Sequence, residues 1–262
     1  MNNELNSFEK RYSLSETVIG YLPKIFSEKE VELIKFGAET ITAGSVALSN
    51  FIKTSHSRKN YASMLIKFAP DFIMLDKIKN EIFFVEVKAS LTPLCMRTNR
   101  MQMKPIDGRE PKITEIADMD RDAWNAYKNL YPNTIIIDAC VYNPTVLACQ
   151  FVDKIECLRC YKEYRVAYDC RDCPVEQGRT FAVARNDRST GSQMPHMNFS
   201  LKSFEAFAPF FQNLGFSVNM SQLSELIESI KNYNVNFPSS FQQDVRTRVI
   251  EELRAEGCYW AK

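Results

Sequence analysis

The chain has no apolar run of the roughly 20 residues that a helix needs to cross a bilayer, so no membrane span is expected. Its first residues, Met1-Asn2-Asn3-Glu4-Leu5-Asn6, lack the basic and apolar regions of a signal peptide. These two absences point to a cytoplasmic protein without a membrane partner. Net charge is nearly absent too: 33 basic against 32 acidic residues leave +1. Bulk electrostatics therefore give no argument for a polyanionic partner. No repeat or low-complexity segment stands out. The local absences say more. Between Thr40 and Pro70 there is no acidic residue, while Lys53, Arg58, Lys59 and Lys67 occur. Between Val87 and Ile106 there is again none, with Lys88, Arg97, Arg100 and Lys104. Lysine and arginine contacts to phosphate supply most sequence-independent affinity for nucleic acid. Lys53, Arg58, Lys59, Arg97 and Arg100 are thus candidate nucleic-acid-binding residues on the combined pattern alone, since each taken singly is better read as a solvated loop charge.

What is present between the two acid-free stretches is a hairpin pattern. Phe72-Ile73-Met74-Leu75 and Ile82-Phe83-Phe84-Val85 read as strands joined by the polar Asp76-Lys77-Ile78-Lys79-Asn80-Glu81. A symmetric antiparallel register sets Asp71 opposite Glu86, and directly opposed residues share a face. Lys88 lies two residues past Glu86 and so shares that face. Two convergent carboxylates repel each other unless a cation sits between them. Their hard oxygens suit Mg²⁺ or Mn²⁺, which take one or two protein carboxylates and fill the shell with water and phosphate. A lysine beside them can orient or deprotonate a water, or neutralise charge on a phosphate. The chemistry implied is metal-assisted phosphodiester hydrolysis. The competing reading is a solvated hairpin end carrying ordinary surface charges.

The pattern Pro70-Asp71, fourteen residues, then Glu86-Val87-Lys88 resembles the signature of the PD-(D/E)XK nuclease superfamily. The resemblance covers roughly Glu28 to Pro144, somewhat under half of the chain. It implies a restriction-endonuclease-like α/β fold, a mixed sheet flanked by helices, and a divalent metal. It implies endonuclease or exonuclease cleavage of DNA, or less often RNA. Asp71, Glu86 and Lys88 would be catalytic, with Asp71, Glu86 and the Val87 backbone carbonyl holding the metal. A further acid often comes from the helix before the hairpin; Glu39 is the first choice and Glu32 the alternate. A homodimer, or a protein partner in a larger complex, is compatible with the resemblance.

Along the chain, Ser27 and Glu30 resemble a helix start, with Val31, Leu33, Ile34, Ala38 and Ile41 broadly helical. Tyr61 to Phe68 reads as the first core strand, Ile113 to Tyr131 as an amphipathic helix, and Thr134 to Tyr142 as a strand covered on both faces. Thr180 to Arg185 reads as a short strand. Ser203–Leu214, Ser221–Tyr233 and Ser239–Glu256 read as helices. The resulting order of helix, three strands, helix and strand matches the superfamily core.

Four of the eight cysteines fall in Cys157-Leu158-Arg159-Cys160 and Cys170-Arg171-Asp172-Cys173, nine residues apart. Two such knuckles can close around one structural Zn²⁺, and in a cytosolic protein metal is favoured over disulfide. An iron–sulfur cluster is the alternative. From Ile155 to Pro174 four basic and four acidic residues cancel, so the segment reads as a staple rather than a reader of phosphate. The expected organisation is a nuclease core with N-terminal helices over 1–154, a four-cysteine zinc module over 155–175, and a strand plus helical region over 176–262 packing on the core. Two rivals remain: a non-catalytic nucleic-acid-binding or assembly subunit with a nuclease-like fold, and a zinc-stapled scaffold unrelated to nucleic acid.

Overall fold

The computed structural model describes residues 7–53, 61–90, 103–105, 115–141, 146–155, 157–162, 168–169, 180–183, 195–200, 203–233, 247–248, 250–255 and 257. In chain order the elements begin with α1 (Ser7–Ile25), β1 (Val31–Lys35), α2 (Ala38–Thr42), α3 (Val46–Lys53) and α4 (Tyr61–Lys67). The hairpin β2 (Phe72–Asp76) and β3 (Glu81–Ser90) follows, then β4 (Met103–Pro105), β5 (Glu115–Asp120) and α5 (Arg121–Leu130). Next come β6 (Thr134–Cys140), β7 (Leu147–Phe151), a 3-10 turn (Val152–Lys154), β8 (Cys157–Lys162), β9 (Tyr168–Asp169), β10 (Thr180–Val183) and β11 (Pro195–Ser200). The last labelled elements are β12 (Glu205–Ala206), α6 (Phe207–Asn213) and α7 (Met220–Lys231). No helix among the described residues is long and apolar enough to cross a membrane.

The architecture is mixed α/β. One six-stranded sheet has the order β1-β2-β3-β6-β7-β12 and is flanked by helices. Its pairs are antiparallel except β3 with β6, which are parallel. A parallel pair needs a crossover, and α5 lies in it. A second sheet, β4-β10-β8-β11-β5 with β9 on β10, gathers short strands from residues 103–200. Strands β4 and β5 thus share one sheet with β8, β10 and β11.

The two faces of β3 explain where the core sits. Phe83 meets Phe151 at 6.2 Å and Phe216 at 6.0 Å between ring centroids. Phe84 points the other way, meeting Tyr131 at 5.1 Å and Phe36 at 6.1 Å. On the Phe83 side, Phe211 touches the rings of Phe26, Phe207, Phe210 and Phe216. Helix α1 packs against α7 with Leu14, Val18, Leu22 and Ile25 fully buried at helical spacing. Strand β6 is buried at every position, as its apolar run predicts. Fully burying each of Ile135, Ile136 and Ile137 contributes about 1.5–3 kcal/mol relative to exposure.

Four expectations are corrected. Val31–Lys35 is an edge strand, not a helix: it pairs with all of β2, and Ser27 O accepts from Glu30 N and Val31 N in a turn instead of capping. A short apolar run is ambiguous between helix and strand, and here the unpaired edge of β2 decides. Tyr61–Lys67 is helix α4, not the first core strand, because β1 takes that place. The helix expected from Ile113 begins only at Arg121, since Glu115–Asp120 pairs with β11. The expected order of helix, three strands, helix and strand is interrupted: α2, α3 and α4 lie between β1 and β2, and β4 and β5 lie between β3 and α5. In the C-terminal part, Glu205–Ala206 joins the sheet beside β7, and α6 begins only at Phe207.

Candidate active site

The hairpin forms in the symmetric register. Phe72 pairs with Val85 and Asp76 with Glu81, so Asp71 and Glu86 fall opposite each other one step beyond β2. The turn is fixed locally: Asp76 Oδ1 accepts from Ile78 N and Lys79 N at 2.9 Å, and Asn80 takes a left-handed φ of 55° that asparagine tolerates. Lys79 Nζ donates to Leu214 O and lies 6.0 Å from the Phe216 ring. Glu30 accepts from Ser217 N at 2.9 Å. The turn end is thus fastened to the chain before α7, and the carboxylates lie at the opposite end.

There the side chains interlock. Asp71 Oδ2 accepts from Val87 N at 2.7 Å. Lys88 Nζ forms an ion pair with Glu86 Oε1 and lies 5.8 Å from the Tyr127 ring centroid. Glu86 is 7% exposed. Phe36 N donates to Asp71 O at 2.8 Å, which ties the end of β1 to the start of β2. The Asp71 carboxyl is pushed up to about 8, chiefly by burial and then by the charge of Glu86. The Val87 N–H and Lys88 oppose that rise, and Glu39 adds to it.

Of the residues expected from sequence, Asp71, Glu86, Val87 and Lys88 are brought together. Glu39 is exposed in the first turn of α2, within electrostatic range of Asp71. Glu32 is not nearby: it sits on β1 in an ion pair with Lys77 at 3.1 Å, toward the turn end. Lys53 is exposed at the end of α3. Arg58, Lys59, Arg97 and Arg100 lie outside the described residues, as do Cys170 and Cys173. Cys157 and Cys160 lie on β8, where Phe199 stands opposite Cys157 and Met197 opposite Cys160.

One further residue escaped the sequence reading. Asp138 is fully buried on β6 and stands directly beside Lys88 in the parallel register. An acid inside a near-continuous apolar strand was the signal. It places a third carboxylate on the sheet face of Glu86 and Lys88.

No family model, curated protein or solved structure matches this chain. The site is therefore judged on its own chemistry. Among the described residues, no three histidine, cysteine or acidic side chains close around a metal by themselves. A pair of neighbouring carboxylates with hard oxygens is instead a donor set that suits Mg²⁺ or Mn²⁺, with the ion's other positions left to water and substrate.

Proposed function

We propose that this chain is a divalent-metal-dependent nuclease of the PD-(D/E)XK type, with a restriction-endonuclease-like fold, that hydrolyses phosphodiester bonds in DNA. The observation that carries the reading is the pairing of Asp71 with Glu86 at one hairpin end, with Lys88 on Glu86 and the Val87 N–H on Asp71. The six-stranded mixed sheet flanked by helices and its parallel β3–β6 pair support the fold assignment.

Asp71, Glu86 and the Val87 carbonyl would hold Mg²⁺ or Mn²⁺. The ion supplies Lewis acidity toward the phosphodiester and lowers the pKa of water. The Val87 N–H holds the Asp71 carboxyl through Oδ2. Lys88 keeps its amine beside Glu86, where it can orient the attacking water or offset charge growing on the phosphate. The Tyr127 ring and strand β6 back the amine and hold it at the site.

A structural Zn²⁺ held by Cys157, Cys160, Cys170 and Cys173 belongs to the same proposal. The spacing of the two Cys-x-x-Cys pairs supports it.

The test is incubation of the purified protein with Mg²⁺ and a panel of single-stranded, double-stranded and branched DNA. Cleavage should require the metal and should disappear in Asp71→Ala and Glu86→Ala with folding intact. Lys88→Ala should also lose cleavage yet keep the thermal stabilisation that Mg²⁺ gives. Unchanged activity in the two carboxylate variants would refute the site.

A further inference from the structure

Strand β1 ends the six-stranded sheet, and among the described residues its outer edge has no partner strand. The pairing on its inner side tells which backbone groups face outward. Phe36 N donates to Asp71 O and Lys77 N donates to Glu30 O, both at 2.8 Å. In an antiparallel pair the hydrogen-bonded rows recur at every second residue. Glu30, Glu32, Ile34 and Phe36 therefore direct their N–H and C=O groups at β2, and Val31, Leu33 and Lys35 turn theirs outward. Val31 N is already engaged, donating to Ser27 O at 2.9 Å. The N–H and C=O of Leu33 and of Lys35 stay open.

An open edge is a template for another strand, and charged side chains on it commonly deter pairing. The charges here are Glu32 and Lys35, and they leave one register open to a second copy of β1. Only odd-numbered residues face outward, so an antiparallel copy sets odd against odd. Opposing Glu32 to Glu32, or Lys35 to Lys35, brings like charges together. Opposing Leu33 to Leu33 calls on the Val31 N–H that Ser27 O already holds. Opposing Ile34 to Ile34 does neither. Leu33 of each copy then exchanges hydrogen bonds with Lys35 of the other, and the four bonds satisfy every open group of both residues.

The side chains fit that same register. Ile34 stands beside Ile73, and Ile73 beside Phe84, in one row across β1, β2 and β3. Ile34 is 45% exposed. With Ile34 on the axis the row continues into the copy as six apolar side chains in line. On the other face Lys35 of the copy stands opposite Leu33. There a cavity of about 360 Å³ borders β1, with Phe26, Val31 and Leu33 in its wall. Glu28, Glu32 and Lys77 also line it, and Lys77 pairs with Glu32 at 3.1 Å. Two acids against one lysine leave a negative charge unbalanced. The incoming lysine would lay its apolar stem along Leu33 and carry its amine toward Glu28.

We propose that β1 is a homodimerisation edge: two copies of this chain pair their β1 strands antiparallel about Ile34 and join their six-stranded sheets into one. The interface does not rest on the nuclease reading. Its two-fold axis stands perpendicular to the sheet, so both Asp71–Glu86 pairs lie on one face of the joined sheet. With strands about 4.8 Å apart and a rise of about 3.4 Å per residue, the two Asp71 positions are on the order of 20 Å apart.

The experiment is sedimentation equilibrium of the full chain over about 1–100 µM. The parent should approach twice its mass of 30.3 kDa. Ile34→Lys sets like charges opposite each other and should weaken association at least about tenfold. Lys35→Pro removes an outward N–H without touching the bonds to β2, and should do the same. Ile34 and Lys35 are both exposed, so the variants should fold, and circular dichroism checks this. Ile34→Cys should cross-link two chains on mild oxidation, because opposed residues in a non-hydrogen-bonded row have Cα atoms about 4.5 Å apart, within disulfide reach. Ile82→Cys, at a position 52% exposed but two strands further in, should cross-link no more than the parent does. A parent that stays monomeric at about 100 µM overturns the proposal. So does a dimer that Ile34→Lys and Lys35→Pro both leave intact, or one in which Ile34→Cys cross-links no better than Ile82→Cys.

Discussion

Replacing Asp71 with asparagine should make the metal-free protein more stable above neutral pH while destroying metal binding. The ordinary carboxyl value is 3.8, and in the native protein burial and Glu86 raise it to about 8. The native state therefore holds a proton that the unfolded chain has released, throughout the window between those values. Where the native state binds more protons, stability falls as pH rises. The contribution is intact below about pH 4 and is lost progressively toward pH 8. A shift of about four units corresponds to roughly 5 kcal/mol at the upper end of the window. That is a ceiling, because water entry and side-chain relaxation relieve part of the cost of a buried charge. Asparagine keeps an oxygen for the Val87 N–H and carries no charge. A gain of about 2–3 kcal/mol at pH 8 would raise Tm by about 4–12 °C in a chain of this size. Thermal melts of both proteins in a pH series, with and without Mg²⁺, check this. The two should melt together near pH 4 and diverge as pH rises. Added Mg²⁺ should stabilise the parent alone, by mass action. An asparagine variant that melts below the parent at pH 8, or a gap that ignores pH, would refute the reasoning.

Three other outcomes follow from the same structure. Phe211→Ala should destabilise the chain by about 3–5 kcal/mol in denaturant melts, because its fully buried ring meets four others. Elemental analysis of protein purified without added metal should find one zinc per chain, and Cys157→Ser or Cys170→Ser should lower Tm; absence of zinc, or stoichiometric iron with a brown colour, would overturn that assignment. Reversing the charges of Arg58, Lys59, Arg97 and Arg100 should weaken DNA binding on many sequences alike and flatten its salt dependence, and an unchanged slope would make them ordinary surface charges.

The hairpin was legible because everything that fixes it is local. Two apolar runs, a polar turn and alternation of side chains set the register, and the register sets Asp71 against Glu86. Strand β6 was legible because burial on both faces demands an unbroken apolar run. The segments around Val31 and Tyr61 were read in exchanged roles because each is short and mixed in pattern. What separates them is which one meets the open edge of β2, a long-range fact. Residues 115–120 were read into a helix for the same reason, since their partner β11 lies some eighty positions later. Helix α1 went unread although Leu14, Val18, Leu22 and Ile25 carry its period in plain view. Asp138 was hidden by its neighbours: within an apolar strand, only the parallel pairing with Lys88 shows that its face is that of the site.

The hydrogen bond from Phe36 N to Asp71 O closes the stretch between β1 and β2 at its neck. Helices α2, α3 and α4 therefore leave and rejoin the sheet at almost one point. A segment with adjoining ends can be lengthened, shortened or exchanged at little cost to the scaffold that bears it. Glu86 and Lys88 lie outside that neck and Asp71 forms it, whereas Glu39, Lys53 and Lys67 lie within it. The hairpin and the three helices are thus separable parts of the chain, and the part between Phe36 and Asp71 can be replaced while the hairpin stays as it is.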